Sequence, residues 1–304
     1  MNKSARIYVA GHRGLVGSAI VRRLYSDGYE NLLLRSRSEL DLRRQTDVNS
    51  FFADEHPEYV FLAAARVGGI AANIERPADF LLDNILIEAN VIDAAYRSGA
   101  KKLLFLASSC CYPRLAPQPM REESLLNGLP EPTNQAYAIA KLSGLELVSS
   151  YRRQHGFSAV ALVPSNVYGP GDRSSHVLPS LLRRFHEAKV ADEPEVVVWG
   201  TGEPRRELLH ADDLAAACLL VMNQYDGDLP FNVGLGEDIT IRELAGLVRD
   251  VVGYRGSLRF DASKPDGMPR KLLDVSRLAA LGWKTTVPLR HGIEETYVSF
   301  MGAR

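Results

Sequence analysis

Tyr137-Ala138-Ile139-Ala140-Lys141 places a phenol and an ammonium four residues apart. On a helix that spacing puts both on one face, so both can enter one cleft. A free phenol is a poor proton donor near neutral pH, its reference pKa being about 10. The expectation is that the nearby cation lowers that value, which suits Tyr137 to protonate an alkoxide forming on a substrate. Upstream, the apolar run Leu103-Leu104-Phe105-Leu106 and the following Ala107-Ser108-Ser109 predict a strand ending in two hydroxyls, with Ser108 beside the pair. The ordinary alternative is a solvated surface lysine on an unexceptional helix, so the rest of the chain has to decide.

The elements needed to position such a pair are legible. Arg6–Ala10 predicts a short buried strand, Gly11-His12-Arg13-Gly14-Leu15-Val16-Gly17 a turn, and Ser18–Tyr25 a helix. A glycine turn between strand and helix is the context of a dinucleotide site, although the spacing here is G-x-x-G-x-x-G. Gly11 permits the tight turn, Gly14 the approach of a pyrophosphate, and Gly17 the packing of helix on strand. The anion would sit at the helix N-terminus. After a second strand (Asn31–Leu34) comes Arg35-Ser36-Arg37-Ser38. Arginine there, with Arg13, favours NADP, whereas an acid would favour NAD; Glu39 and Asp41 follow slightly later. Further strands are predicted at Tyr59–Leu62, Leu103–Leu106 and Ser158–Val163, with helices from Thr46, Pro77 and Tyr137. This alternation is that of an α/β, Rossmann-type doubly wound parallel sheet. Residues 1–170 are read as an NADP-binding domain, rejoined by about 205–233, and 171–304 mainly as a smaller α/β substrate domain.

Composition narrows the function. The 304 residues carry 36 Lys and Arg against 37 Asp and Glu, a net charge of −1, so neither nucleic acid nor an anionic membrane is an expected partner. No apolar run reaches the roughly 18 residues of a membrane span, and the N-terminus has no signal-peptide core. Cys110 and Cys111 are adjacent and Cys218 is distant, which is no disulfide framework. A reduced, cytoplasmic protein is expected. With neither CxxC nor HExxH, no metal is expected.

The glycine turn, Ser108 and the Tyr137/Lys141 pair together resemble an extended short-chain dehydrogenase/reductase. Further passages resemble the group within it that epimerises and then reduces GDP-4-keto-6-deoxy-D-mannose with NADPH. They are Ala64–Ile70, Ser108-Ser109-Cys110, Glu131-Pro132-Thr133-Asn134, Ser175-His176-Val177, Leu182–His186 and Lys264-Pro265-Asp266-Gly267. The resemblance implies that Ser108, Tyr137 and Lys141 serve reduction and that Cys110 and His176 serve epimerisation at C3 and C5. It implies cofactor contacts from Gly11 to Gly17, with Arg13 and Arg37 on the 2′-phosphate. Others are implied at Ser38, Glu39, Leu40, Asp41, Leu42, Leu106, Ala107, Ser108, Ser109, Lys141, Pro164, Ser165, Asn166, Val167 and His176. Arg184, Trp199, Arg206, Asp266 and Lys271 would meet the nucleotide sugar, and two copies of the chain would form a dimer.

Alternatives stay open residue by residue. Cys110 could be a small buried apolar group, His176 a loop residue, Arg184 and Arg206 surface charges, and Trp199 core. Two departures from the group are Cys111, where an aliphatic residue is usual, and a short loop at Gly171–Ser175. Rival functions are a 4-epimerase holding NAD, a 4-reductase without epimerisation, and a non-catalytic NADP-binding regulator.

Overall fold

Strands buried on both faces must be apolar almost throughout, and five such segments alternate with helices over the first half of the chain. They are β1 (Ile7–Ala10), β2 (Leu32–Leu33), β3 (Tyr59–Leu62), β4 (Lys102–Leu106) and β5 (Ala159–Pro164). In the computed structural model, which describes residues 1–174, 176–264, 266 and 268–302, they form one sheet with Phe231–Val233. Ser175, Pro265 and Gly267, from two of the motifs above, lie outside the described residues.

The order is Phe231–Val233, β5, β4, β3, β1, β2, parallel throughout. Chain order therefore reverses between β1 and β3, where a doubly wound sheet opens its ligand crevice beyond the strand ends. One face packs Tyr8, Phe52, Val91, Phe105 and Val148 into a core. The other packs Ile7, Val9, Leu104, Leu209 and Leu214, the last on the Ala211–Gln224 helix. A third core gathers Leu182 and Phe185, Val196 and Val198, and Leu244 and Val248 from the second half. The helix Ile241–Val252 opens with a capping box formed by Thr240 and Glu243.

Differences from the sequence reading fall on short elements. The second strand shrinks to Leu32–Leu33. The stretch after Ala63–Gly69 forms an extra helix, Ile70–Glu75, whose six residues are too few for a helical period to stand out. Asn166–Tyr168 pairs in parallel with Leu208–His210, and Ser257–Asp261 with Glu195–Trp199. Strands are expected at Val196–Gly200 and Phe231–Gly234 and are found there, whereas the polar-flanked Ser257–Asp261 and the three-residue Asn166–Tyr168 and Leu208–His210 carry too little periodicity to be read beforehand.

Candidate active site

The glycine turn is shaped by contact. Gly11 has φ +84°, and a Cβ on it would lie 2.8 Å from Ala64 Cα. A Cβ on Gly17 would lie 2.1 Å from Gly11 O, so helix and turn can touch only if Gly17 has no side chain. At Gly14 the nearest atom would be 3.3 Å away, and no side chain caps the Leu15–Ser26 helix that begins there. Its first N–H groups are thus available to an anion. Two buried polar atoms nearby, His12 Nδ1 and Ser165 Oγ, have no hydrogen-bond partner among the described residues. Both lie on segments expected to meet the cofactor, and such atoms are usually satisfied when a site is filled. Leu106, Ala107 and Ser109 are buried at the end of β4, and Pro164 ends β5. Asn166 and Val167 are half-buried on the next strand. Leu40 and Leu42 turn their side chains into the core, so contact from them would be through the backbone.

The acids after β2 are already engaged. Glu39 Oε2 accepts from Ser36 N at 2.7 Å and from Ser36 Oγ at 2.5 Å, and Ser36 and Ser38 share a hydroxyl contact at 3.0 Å. Asp41 accepts from Arg43, whose side-chain hydrogen bonds outweigh burial and hold its carboxyl down at about 2. Arg35 pairs with Glu55. Among the described residues, no acid stands within ion-pair distance of Arg13 or Arg37, both exposed. Free cations and occupied acids suit a 2′-phosphate better than a 2′-hydroxyl.

Ser108, extended at the end of β4, accepts from Cys110 N at 3.2 Å and so starts the Ser109–Cys111 turn. Tyr137 lies in the first turn of the Gln135–His155 helix, where Ser108 and Cys110 are near enough to act on its phenol. Here one expectation fails. Burial raises the phenol well above its ordinary value, the charges of Cys110, Cys111 and Glu88 add to the rise, and Ser108 opposes it, so the net shift is upward despite the lysine four residues on. The reason is where the ammonium goes. Lys141 Nζ donates to Leu106 O at 2.9 Å, lies 3.1 Å from Glu88 Oε1, and sits 4.7 Å over the Phe105 ring.

Cys110 is not an inert apolar residue. Its Sγ accepts from Asn134 Nδ2 at 3.1 Å and from Lys271 Nζ at 3.4 Å. Burial would raise the thiol, but the Lys271 charge and hydrogen bonds from Ser108, Lys271 and Asn134 outweigh it, leaving the thiol below its ordinary range. Cys111 is the opposite case. It is 1% exposed, packed in the core with its Sγ 3.9 Å from Ala138 O, and burial pushes it up to about 12. It fills the place of an aliphatic residue, and all three cysteines are free. His176 stands before the Val177–Val190 helix. Loss of solvent around the ring lowers its pKa, Asp172 raises it and Lys271 lowers it, so the imidazole is neutral at pH 7.

The expected sugar-nucleotide residues divide. Arg205–Arg206 pairs in parallel with Arg270–Lys271, and Lys271 stands directly opposite Arg206. Asp238 braces both strands by bonding Arg205 and Arg270. Arg206 is half-buried and its charge is disfavoured by burial, with Asp266 the countercharge that offsets this. A buried guanidinium so placed suits paired anionic oxygens. Trp199 is 65% exposed, which removes the core reading, and Lys264 lies 5.5 Å over its ring. Asp266 accepts from Thr201 N at 2.7 Å and Thr201 Oγ1 at 2.8 Å, so its carboxylate fixes the turn after Trp199. Arg184 donates to Val197 O, behind the same strand.

Three residues of the cluster escaped the sequence reading in these positions. Asn134 was noticed only as part of a motif, and Lys271 only as a ligand to substrate. Glu88 was not noticed at all, though an acid on the buried stripe Phe80, Asn84, Glu88, Val91, Ala95 demands a partner.

The fold and site can be set beside known proteins. Residues 7–234 match the family described as "Epimerase: NAD dependent epimerase/dehydratase family". The chain is 58% identical over 300 residues to GDP-L-fucose synthase 1 of Arabidopsis thaliana, covering 97% of this chain and 93% of that protein. It is 52% identical over 309 residues to the GDP-L-fucose synthase of Escherichia coli K12, covering 97% and 96%. A GDP-mannoheptose C4 reductase from Campylobacter jejuni, solved with NADP bound, superposes with a TM-score of 0.93 at 38% identity, covering 99% of each chain. Likeness of this extent, around a glycine turn and a Ser-Tyr-Lys group in the expected places, makes the chain a member of the NAD dependent epimerase/dehydratase family.

Proposed function

We propose that the chain converts GDP-4-keto-6-deoxy-D-mannose to GDP-L-fucose by 3,5-epimerisation followed by NADPH-dependent reduction at C4. The observation that carries this is the Cys110 thiol, held by Lys271 Nζ at 3.4 Å and Asn134 Nδ2 at 3.1 Å in the turn that Ser108 starts, close enough to Tyr137 for its charge to act on the phenol. Relatives at 58% and 52% identity bear the name of that activity. A reductase that inverted no centre would have no use for an activated thiol beside the carbonyl cradle.

A ketone at C4 makes the hydrogens on C3 and C5 acidic. Cys110, held toward its thiolate, takes a carbon-bound proton, and His176, within reach of the same Lys271 charge, serves the return of a proton to the other face. Ser108 and Tyr137 donate hydrogen bonds to the enolate oxygen, as in an oxyanion hole. The same two groups hold the carbonyl during reduction, and Tyr137 gives the alkoxide its proton. NADPH, when bound at the glycine turn, supplies the hydride. Arg206 and Arg184 grip the diphosphate, and exposed Trp199 offers a face to the base. In this reading the six-stranded sheet with residues 1–170 and 205–233 holds the cofactor, and most of 171–304 holds the sugar nucleotide. The enzyme works in the cytoplasm, where its three thiols stay reduced. It pairs as a homodimer through the Pro77–Arg97 and Gln135–His155 helices, where Leu82 and Ile139 are 59% and 40% exposed.

Incubation with the keto sugar and NADPH, followed by NMR of the product, tests the reading. The expected product is inverted at C3 and C5 and reduced at C4, made by a particle of two chains on light scattering. A product reduced at C4 with both centres uninverted overturns the proposal. Arg37→Ala tests the cofactor separately. A charge-assisted contact of about 1.5–3 kcal/mol predicts a roughly 10–100-fold rise in the KM for NADPH and little change for NADH. Equal losses with the two cofactors contradict the assignment.

A further inference from the structure

Asn134 sits at the entrance of the helix that carries Tyr137. It closes the short Pro132–Asn134 turn, where its N–H donates to Glu131 O at 3.1 Å, and the Gln135–His155 helix begins from it. An asparagine in that place ordinarily turns its side-chain oxygen onto the first N–H groups of the helix. Here the side chain makes no such bond. The amide is turned the other way, and Nδ2 donates to Cys110 Sγ at 3.1 Å. Oδ1 is left buried, with no hydrogen-bond partner among the described residues. Both features work against stability, since a cap is forgone and a buried acceptor stands open. Departures of this kind from local rules belong to functional sites. What the arrangement supplies is a second donor on the sulfur. The first, Lys271 Nζ at 3.4 Å, comes from the Arg270–Lys271 strand in the other half of the chain. Donors to an anion favour it over its neutral form. Asn134 also stands three positions before Tyr137 at the start of one helix, so the amide on the thiol and the phenol share a single support.

We propose that Asn134 is a positioning residue acting through Cys110: its amide, diverted from capping its own helix, fixes the direction of the sulfur and favours the thiolate that takes a carbon-bound proton. The titratable groups around the sulfur are Lys271 from the Arg270–Lys271 strand, Tyr137 from the helix and Cys111 from the same turn. Asn134 is the uncharged member of the set, so it orients the sulfur without adding a charge that Tyr137 would feel.

The inference rests on the proposed epimerisation, in which Cys110 is the base. Its test is Asn134→Ser in the full chain. Serine begins a helix as well as asparagine does, but its hydroxyl ends one bond short of the amide nitrogen and leaves the sulfur. Two readouts are taken. One is deuterium uptake at C3 and C5 of the keto sugar without NADPH. The other is the pH midpoint of Cys110 alkylation by iodoacetamide, taken as the difference from Cys110→Ser; Cys110 is partly exposed, whereas Cys111 and Cys218 are buried. The expected result is exchange slowed by about 10–100-fold, the loss for one hydrogen bond to a charged group, and an alkylation midpoint raised by about one pH unit. The melting temperature stays or rises, and KM for NADPH changes less than about threefold. Asn134→Ala carries the same test if the serine variant does not fold. A folded variant with either exchange or the alkylation midpoint at its wild-type value overturns the proposal, because a merely structural asparagine would move neither. If the wild-type chain exchanges no deuterium at C3 or C5, the proposed function fails, and the alkylation midpoint still decides whether Asn134 holds the thiol.

Discussion

Tyr137→Phe leaves a folded enzyme in which NADPH oxidation by the keto sugar falls by about 10²–10⁴-fold, the range for loss of a positioned general acid. The substitution keeps the ring and removes one hydroxyl. The neighbouring Ser108 keeps its bond from Cys110 N at 3.2 Å, so its hydroxyl is not stranded. The loss belongs to the upper part of the range because one oxygen has two duties. It protonates the alkoxide, and it donates to the enolate, where removing a single donor costs about 10²–10³-fold. Deuterium exchange at C3 and C5 therefore slows as well, although no hydride moves in that step. The direction of the pKa shift fits the role. Burial, with Cys110, Cys111 and Glu88, raises the phenol, so it remains an acid throughout the physiological range. The linkage sign agrees: stability from the buried neutral phenol is present below the unfolded value of about 10 and is lost as pH climbs through the folded one. Near-normal turnover in Tyr137→Phe would exclude this phenol as the acid.

What made the fold legible was the run of strands that had to be apolar on both sides. β3 and β5 lie where their sequences put them, and the glycine turn fell between strand and helix as its spacing required. The site was legible wherever a side chain works through its own local frame, as with Ser108 at a strand end or Tyr137 and Lys141 on one helical face. It was obscure where function depends on a partner brought from far along the chain. Lys271 reaches Cys110 across 161 positions, and Glu88 reaches Lys141 from a separate helix. No periodicity within either segment records those meetings. The electrostatics of Tyr137 have a related origin: the lysine is visible in the sequence, whereas the burial that raises the phenol, with Cys110, Cys111 and Glu88 around it, is not. Cys111 shows the converse. Beside Cys110 in sequence it looks equally reactive, yet the Ser109–Cys111 turn points it into the core, where burial keeps it a thiol. For adjacent residues of one type, surroundings alone separate chemistry from packing.

Cys110→Ser tests that separation most sharply. Serine has nearly the same shape and still offers an oxygen to Asn134 Nδ2 and Lys271 Nζ, which now stand 3.1 and 3.4 Å from the sulfur. Position, polarity and hydrogen bonding are thus largely conserved, and what changes is the ability to become an anion. A thiol with a reference pKa of about 8.5, drawn below its ordinary value by Lys271 and its neighbours, gives up its proton more readily than a free one. A serine hydroxyl in the same place keeps its proton. Deuterium uptake at C3 and C5, followed by NMR in deuterated water without NADPH, should fall by about 10²–10⁴-fold, the range for a lost general base. NADPH oxidation falls with it, because reduction then receives uninverted sugar. His176, already neutral, is left without the partner on the opposite face, so it does not compensate. The contrast with Cys111→Ser-type changes in the core is one of kind: those act on packing and stability, whereas this one leaves the melting temperature in place. Exchange at the wild-type rate in a folded Cys110→Ser enzyme would remove the thiol from the mechanism, and the charge of Lys271 beside it would need another purpose.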